Sequence, residues 1–135
     1  MEKITVTTTI TGDIQKVWDM WTMPEHITKW TFASPDWECP KAENDVRVGG
    51  IFSSTMAAKD GSMSFDFAGT YTEVIPLELL VYSFGDRTAK VSFTQEGDSV
   101  HITETFDPET EHPREMQQSG WQAILDNFKK YVETH

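Results

Sequence analysis

Glu104 is the polar residue of this 135-residue chain whose position points most directly to chemistry. It lies in the run Val100 to Phe106, and alternation places it in phase with Val100, Ile102 and Phe106. A carboxyl on the apolar face of a strand is desolvated. That raises its pKa and suits it to act as an acid, a base or a handle for a ligand. Nothing nearby completes a catalytic set. Cys39 is the only cysteine and has no histidine near it in sequence. His26, His101, His112 and His135 fall on different elements without ligand spacing, so no metal site is expected. Ser119 lies inside a helical pattern rather than in a nucleophile elbow, and Gly49-Gly50 reads as a strand bend rather than a phosphate loop. Glu104 is therefore the single catalytic candidate, and no cofactor is expected.

The second signal is aromatic. The chain carries five Trp, eight Phe and three Tyr. Trp30, Phe32, Trp37, Phe52, Met56, Phe65, Phe67, Tyr82, Phe84 and Trp121 exceed what a solid core of this size needs. Large rigid rings with few polar groups suit an apolar or aromatic ligand. Ile124, Leu125 and Phe128 extend the set along the last helix, and Gly120 is read there in two ways. Its missing side chain leaves room over a sheet, or it permits close helix–sheet packing. A glycine inside a helix costs about 1 kcal/mol relative to alanine.

These residues need elements to hold them. Ile4 to Ile10 reads as a β-branched strand. Asp13 is placed to cap a helix carrying Ile14, Val17, Trp18 and Trp21. Thr22 and Glu25 have the spacing of a capping box for a second short helix that ends near Lys29 or Trp30. Asp36 to Lys41 is bracketed by prolines and predicts an edge strand or irregular chain. Asn44-Asp45 is a turn, and Gly49-Gly50 permits a bend. Ile51 to Lys59 and Met63 to Val74 form a hairpin across Asp60-Gly61, with a second bend at Gly69. Leu79 to Phe84, Lys90 to Gln95 and Val100 to Phe106 complete an antiparallel meander. Asp107 to Arg114 is a charged connector. Pro113 to Glu133 then carries Met116, Trp121, Ile124, Leu125, Phe128 and Val132 as an apolar helical stripe about 30 Å long.

Composition bounds the partners. Acidic residues outnumber basic ones 22 to 11, a net charge of −11, which argues against nucleic acid or an anionic membrane surface. No apolar run is long enough to insert in a membrane, and the N-terminus lacks a signal-peptide pattern. A cytoplasmic location and one domain spanning 1–135 are expected. Self-association is left open, through the Trp-rich short-helix corner or an open sheet edge.

The order of elements and six short motifs resemble the START/SRPBCC superfamily, the helix-grip fold of birch-pollen-allergen-like proteins. Within it, the chain is similar to the family of the C-terminal domain of the activator of heat-shock protein 90 ATPase. The resembling stretches are residues 17–25 with Lys29-Trp30, Gly49-Gly50-Ile51-Phe52, Asp60-Gly61, residues 67–76, Thr103-Glu104-Thr105-Phe106, and residues 118–128. The resemblance covers nearly the whole chain. It implies an α+β helix-grip fold: a curved antiparallel sheet wrapped around a long C-terminal helix, two short helices after the first strand, and a cavity between. It also implies a chaperone as an alternative partner. Binding of a small hydrophobic ligand without catalysis is the leading expectation. A co-chaperone-like interaction module and an enzyme using Glu104 as acid or base are its rivals.

Overall fold

The computed structural model describes residues 2–135. The elements run β1 (Ile4–Thr11), α1 (Ile14–Thr22), α2 (Pro24–Ile27), β2 (Trp37–Asn44), β3 (Ile51–Ala58), β4 (Ser64–Ile75), β5 (Leu79–Phe84), β6 (Arg87–Glu96), β7 (Ser99–Phe106) and α3 (Arg114–Glu133). The strands form one antiparallel sheet in the order β1-β7-β6-β5-β4-β3-β2. Short turns join β2 through β7, so those neighbours in sequence are neighbours in space. β1 closes the other side by pairing with β7 in full register, from Ile4 opposite Phe106 to Thr11 opposite Ser99. This is the helix-grip arrangement that the sequence order implies.

Local sequence explains most boundaries. Asp13 caps α1, its carboxylate accepting from the Gln15 amide at 3.1 Å. The capping box does not form. Thr22 is still inside α1 and turns its hydroxyl back to the Trp18 carbonyl at 2.8 Å, so Met23 is the residue at the start of α2. The segment bracketed by Pro35 and Pro40 is a strand, longer than expected, and forms the outer edge of the sheet with a bulge between Glu38 and Lys41. The bulge absorbs Pro40, which has no N–H for the ladder. Gly69 lies opposite Phe52, and a side chain there would collide with the Phe52 ring at 2.8 Å and the Ser83 carbonyl at 2.4 Å. The glycine lets an aromatic ring lie flat across the sheet where it curves.

The helix α3 runs beside β1 and touches α1. Its side chains cover the open edge of the sheet. Gln122 donates to the Thr7 carbonyl at 3.0 Å and Lys129 to the Thr9 carbonyl at 2.6 Å. Gln118 reaches the Thr5 carbonyl at 3.5 Å, and Glu133 accepts from the Thr11 amide at 3.0 Å. The helix rises about 22 Å from Gln118 to Glu133 and the strand about 20 Å from Thr5 to Thr11. Helix and strand can therefore stay in step, and an edge that would otherwise template aggregation is satisfied.

The other side of α3 enters the core. Leu125, Phe128 and Val132 are buried, whereas Met116 is 60% exposed and falls outside the stripe. Gln117 is buried in its place. It clamps the connector by accepting from the Glu109 amide at 2.8 Å and donating to the carbonyls of Glu109 and His112 at 3.1 and 2.9 Å. Trp21 and Trp30 pack on Phe128 with ring centroids 4.9 and 4.6 Å away, which joins α1, the turn after α2 and α3.

Candidate functional site

The inner faces of β3, β4, β5 and β7, with one side of α3, enclose a cavity of about 310 Å³. Alternation builds it. Phe52, Ser54 and Met56 point inward from β3, and Phe65, Phe67 and Tyr71 from β4. Leu80 and Tyr82 come from β5, and Glu104 from β7. Trp121, Ile124 and Leu125 cover it from α3, and Trp21, Ile27, Trp30 and Thr31 close the end near the short helices. Phe65, half exposed, stands where the lining meets solvent.

Ten of the residues singled out in sequence meet here: Trp30, Phe52, Met56, Phe65, Phe67, Tyr82, Glu104, Trp121, Ile124 and Leu125. Five do not. Phe128 is fully buried in the solid core, on the side of α3 turned toward Trp21 and Trp30. Phe84 is buried beside the lining on the same face of β5, its ring centroid 5.3 Å from that of Phe67 and 6.0 Å from that of Trp121. Trp37 lies on the edge strand against Phe65, with ring centroids 6.0 Å apart. Phe32 follows the turn after α2, outside the lining. Gly120 faces neither the cavity nor a close neighbour, and a Cβ there would meet nothing within 4 Å. The close-packing reading does not hold, since nothing crowds the position, and the room it leaves lies outside the cavity lining.

Sequence reasoning missed several lining residues. Trp21 was visible as a helix-face aromatic, and Tyr71 shares alternation phase with Phe67. Asn44, Glu43 and Arg87 lie at strand ends that the sequence pattern left outside the strands. The Tyr71 hydroxyl donates to Asn44 Oδ1 at 2.6 Å, and Asn44 Nδ2 donates to the Thr22 carbonyl at 2.7 Å. That chain fixes one polar corner and ties β2 to α1. Burial pushes the Tyr71 phenol up to about 12.

Glu104 is the other polar feature, and it is of a different kind. It is 6% exposed and flanked on the inner face by Val6 of β1 and Val91 of β6. No group among the described residues hydrogen-bonds to its carboxyl. Among the described residues no fully enclosed side-chain polar atom lacks a partner, so the carboxyl opens onto the cavity it lines. Desolvation alone pushes its pKa up to about 8. The acid is thus largely neutral at pH 7. Burial and the nearby Glu104 together push the Tyr82 phenol well above its ordinary value.

Other candidates have structural explanations. Cys39 is buried on β2, and burial raises its thiol pKa. Glu109, Glu111 and His112 bring ligand atoms within 4.8 Å of one another in the connector. Glu109 and His112 already pair there, in a largely exposed and acidic setting. Among the described residues no helix is long and apolar enough to cross a membrane.

A curved sheet gripping a C-terminal helix around an aromatic-lined cavity places the molecule among the helix-grip proteins. The chain belongs to the family of Activator of Hsp90 ATPase homolog 1-like proteins, whose model matches residues 12–133. The solution structure of an AHSA1-like protein from Aeromonas hydrophila is 44% identical, with a TM-score of 0.92, covering 98% of this chain and 92% of that one. A Cytophaga hutchinsonii protein is 55% identical, with a TM-score of 0.84 and the same coverage, 98% and 92%. A Chromobacterium violaceum protein at 23% identity, TM-score 0.86, covering 98% of this chain and 99% of that one, shares the fold. No curated protein matches the sequence.

Proposed function

We propose that this chain binds a small, mainly apolar or aromatic molecule between its sheet and α3. The observation that carries the reading is the aromatic-lined cavity of about 310 Å³. That volume is at the lower end of the range typical of small-molecule sites. Its walls are rigid rings and branched aliphatics, with polar groups confined to a few positions. Such a site gains affinity from apolar burial and orients its guest through those few groups.

Catalysis by Glu104 is the weaker reading. The lining holds no cysteine, histidine or lysine among the described residues, so Glu104 has no thiol, imidazole or amine to work with. The family description favours a chaperone as a second kind of partner, and that reading rests on the family alone.

The test is saturable uptake of an environment-sensitive naphthalene dye by the purified protein, followed by displacement with apolar competitors. One-site uptake is expected in the wild type. Ser54, buried on β3 and facing the cavity, offers the control. Ser54→Phe should fill the space and abolish uptake while the protein still unfolds cooperatively. Equal uptake by wild type and variant would overturn the reading.

A further inference from the structure

The polar end of such a ligand can be read from the groups around Glu104. Its cross-strand neighbours on β1 and β6 are Val6 and Val91, neither of them polar. From β5 it has Tyr82, whose phenol stays protonated. From β4, Tyr71 is committed to Asn44. The helices contribute Trp21, Trp121, Ile124 and Leu125 to the same lining, none of them charged. Two other charged side chains reach the cavity. Arg87 sits at one end, its guanidinium 4.5 Å from the centre of the Phe84 ring and donating to the Asp107 carbonyl at 3.2 Å. Glu43 lies at the edge strand, 3.7 Å from Lys41. No cation among the described residues pairs with Glu104.

A buried carboxyl without partner is costly to ionise. It becomes an asset only when the ligand brings what the protein omits. The rings of Phe52, Phe67, Tyr82 and Trp121 line the same space, and aromatic faces attract cations. A net charge of −11 raises the local concentration of cations around the molecule. Resting on the reading that the cavity takes an apolar guest, we infer that the guest carries one basic nitrogen, which forms an ion pair with Glu104 while its apolar body lies among the rings.

The proton balance is simple. An amine that arrives protonated finds a neutral carboxyl, the Glu104 O–H bond breaks, and its proton goes to solvent. An amine that arrives as free base takes that proton onto its nitrogen. Either way the product is an ammonium donating to a carboxylate. Because the free carboxyl titrates at about 8, affinity should rise as pH approaches 8 and fall again where the amine itself loses its proton, at about 10 for an alkylamine.

Tryptamine, tryptophol and 3-ethylindole share a ring system and differ at the chain terminus. Calorimetry on the full chain at about pH 8.5 should give tryptamine at least about tenfold tighter binding than tryptophol or 3-ethylindole. Tryptamine binding near neutral pH should release close to one proton, read from buffers of different ionisation enthalpy. Glu104→Gln should remove both the preference and the proton release. If 3-ethylindole binds and tryptamine shows no preference, the basic-nitrogen inference is overturned and the apolar-ligand reading stands. If Glu104→Gln keeps the preference, the inference is again overturned. If none of the three binds, both fall.

Discussion

The two halves of the sheet face the same helix and are packed in different ways. Around β1, β6 and β7 the inner residues are mostly aliphatic, Ile4, Val6, Ile10, Ala89, Val91, Val100 and Ile102 with Phe93 and Phe106, all buried, and Val17, Phe128 and Val132 fill the gaps. Around β3, β4 and β5 they are Phe52, Ser54, Met56, Phe65, Phe67, Tyr71, Leu80 and Tyr82, arranged around a cavity. Compact branched aliphatics interlock in staggered rows and leave little room. Flat rings meet edge to face, as Phe52 does with Tyr82 at 4.8 Å, and hold each other apart. Glu104 lies at the seam, on an aliphatic strand but looking into the aromatic half. The lesson is a division of labour. One half stabilises the fold and the other is free to be shaped for a guest.

The largest expected effect tests that division directly. Phe128→Ala in the solid half should cost about 3–5 kcal/mol by chemical denaturation. Met56→Ala, on a half-buried side chain that already borders open space, should cost less than about 1.5 kcal/mol. Equal losses would erase the distinction between the halves.

Glu104 at the seam gives the next effect. Its pKa is about 8 in the folded state and near the ordinary glutamate value of 4.5 when unfolded. The folded state therefore binds the proton more tightly. The contribution of Glu104 to stability is greatest below about 4.5, falls as pH rises toward 8, and levels off above. The loss across that window should be on the order of a few kcal/mol, and Glu104→Gln should flatten it. Urea titrations between these pH values provide the measurement. A slope that survives the substitution would place the titrating group elsewhere.

Asp107 works with the opposite sign. Lys3, at 2.6 Å, and the Thr88 amide hold its carboxyl down at about 2. Its contribution is present above the ordinary aspartate range and lost as pH falls toward 2. Lys3→Met should trim that acid-side stability by less than about 1 kcal/mol, since the pair is partly exposed.

The helix offers a gain. Gly120→Ala should stabilise the protein by about 0.5–1 kcal/mol, because an added Cβ meets nothing within 4 Å. Dye uptake should be unchanged, since the position faces neither half. Lost uptake would show that Gly120 borders the cavity after all. Gln122→Ala should cost a similar amount, about 0.5–1 kcal/mol, for one side-chain bond to the β1 edge.

Much of this was legible in the chain. Alternation placed Glu104 inward beside Ile102 and Phe106, and the order of turns set the meander from β2 to β7. The Asp13 cap and the apolar stripe from Trp121 to Val132 were equally plain. These are local signals, carried by residues two to four apart, where period and propensity decide the outcome. The residues that misled did so at longer range. Phe128 and Phe84 are as aromatic as Phe67, and nothing in their spacing tells a filled core from a cavity wall. Arg87 and Asn44 join the lining because strands extend past the apolar pattern that announces them.

The sequence by itself determined the elements, their order, and which face of each strand turns inward. Only the tertiary structure decided which inward residues touch one another. The depth of the cavity depends on where α3 lies over the sheet. Contacts 113 to 120 residues apart, from Gln118, Gln122 and Lys129 to the β1 edge, fix that position. The same placement leaves Glu104 without a partner. A carboxyl's environment is a sum over every element packed around it, and no window of the chain contains that sum.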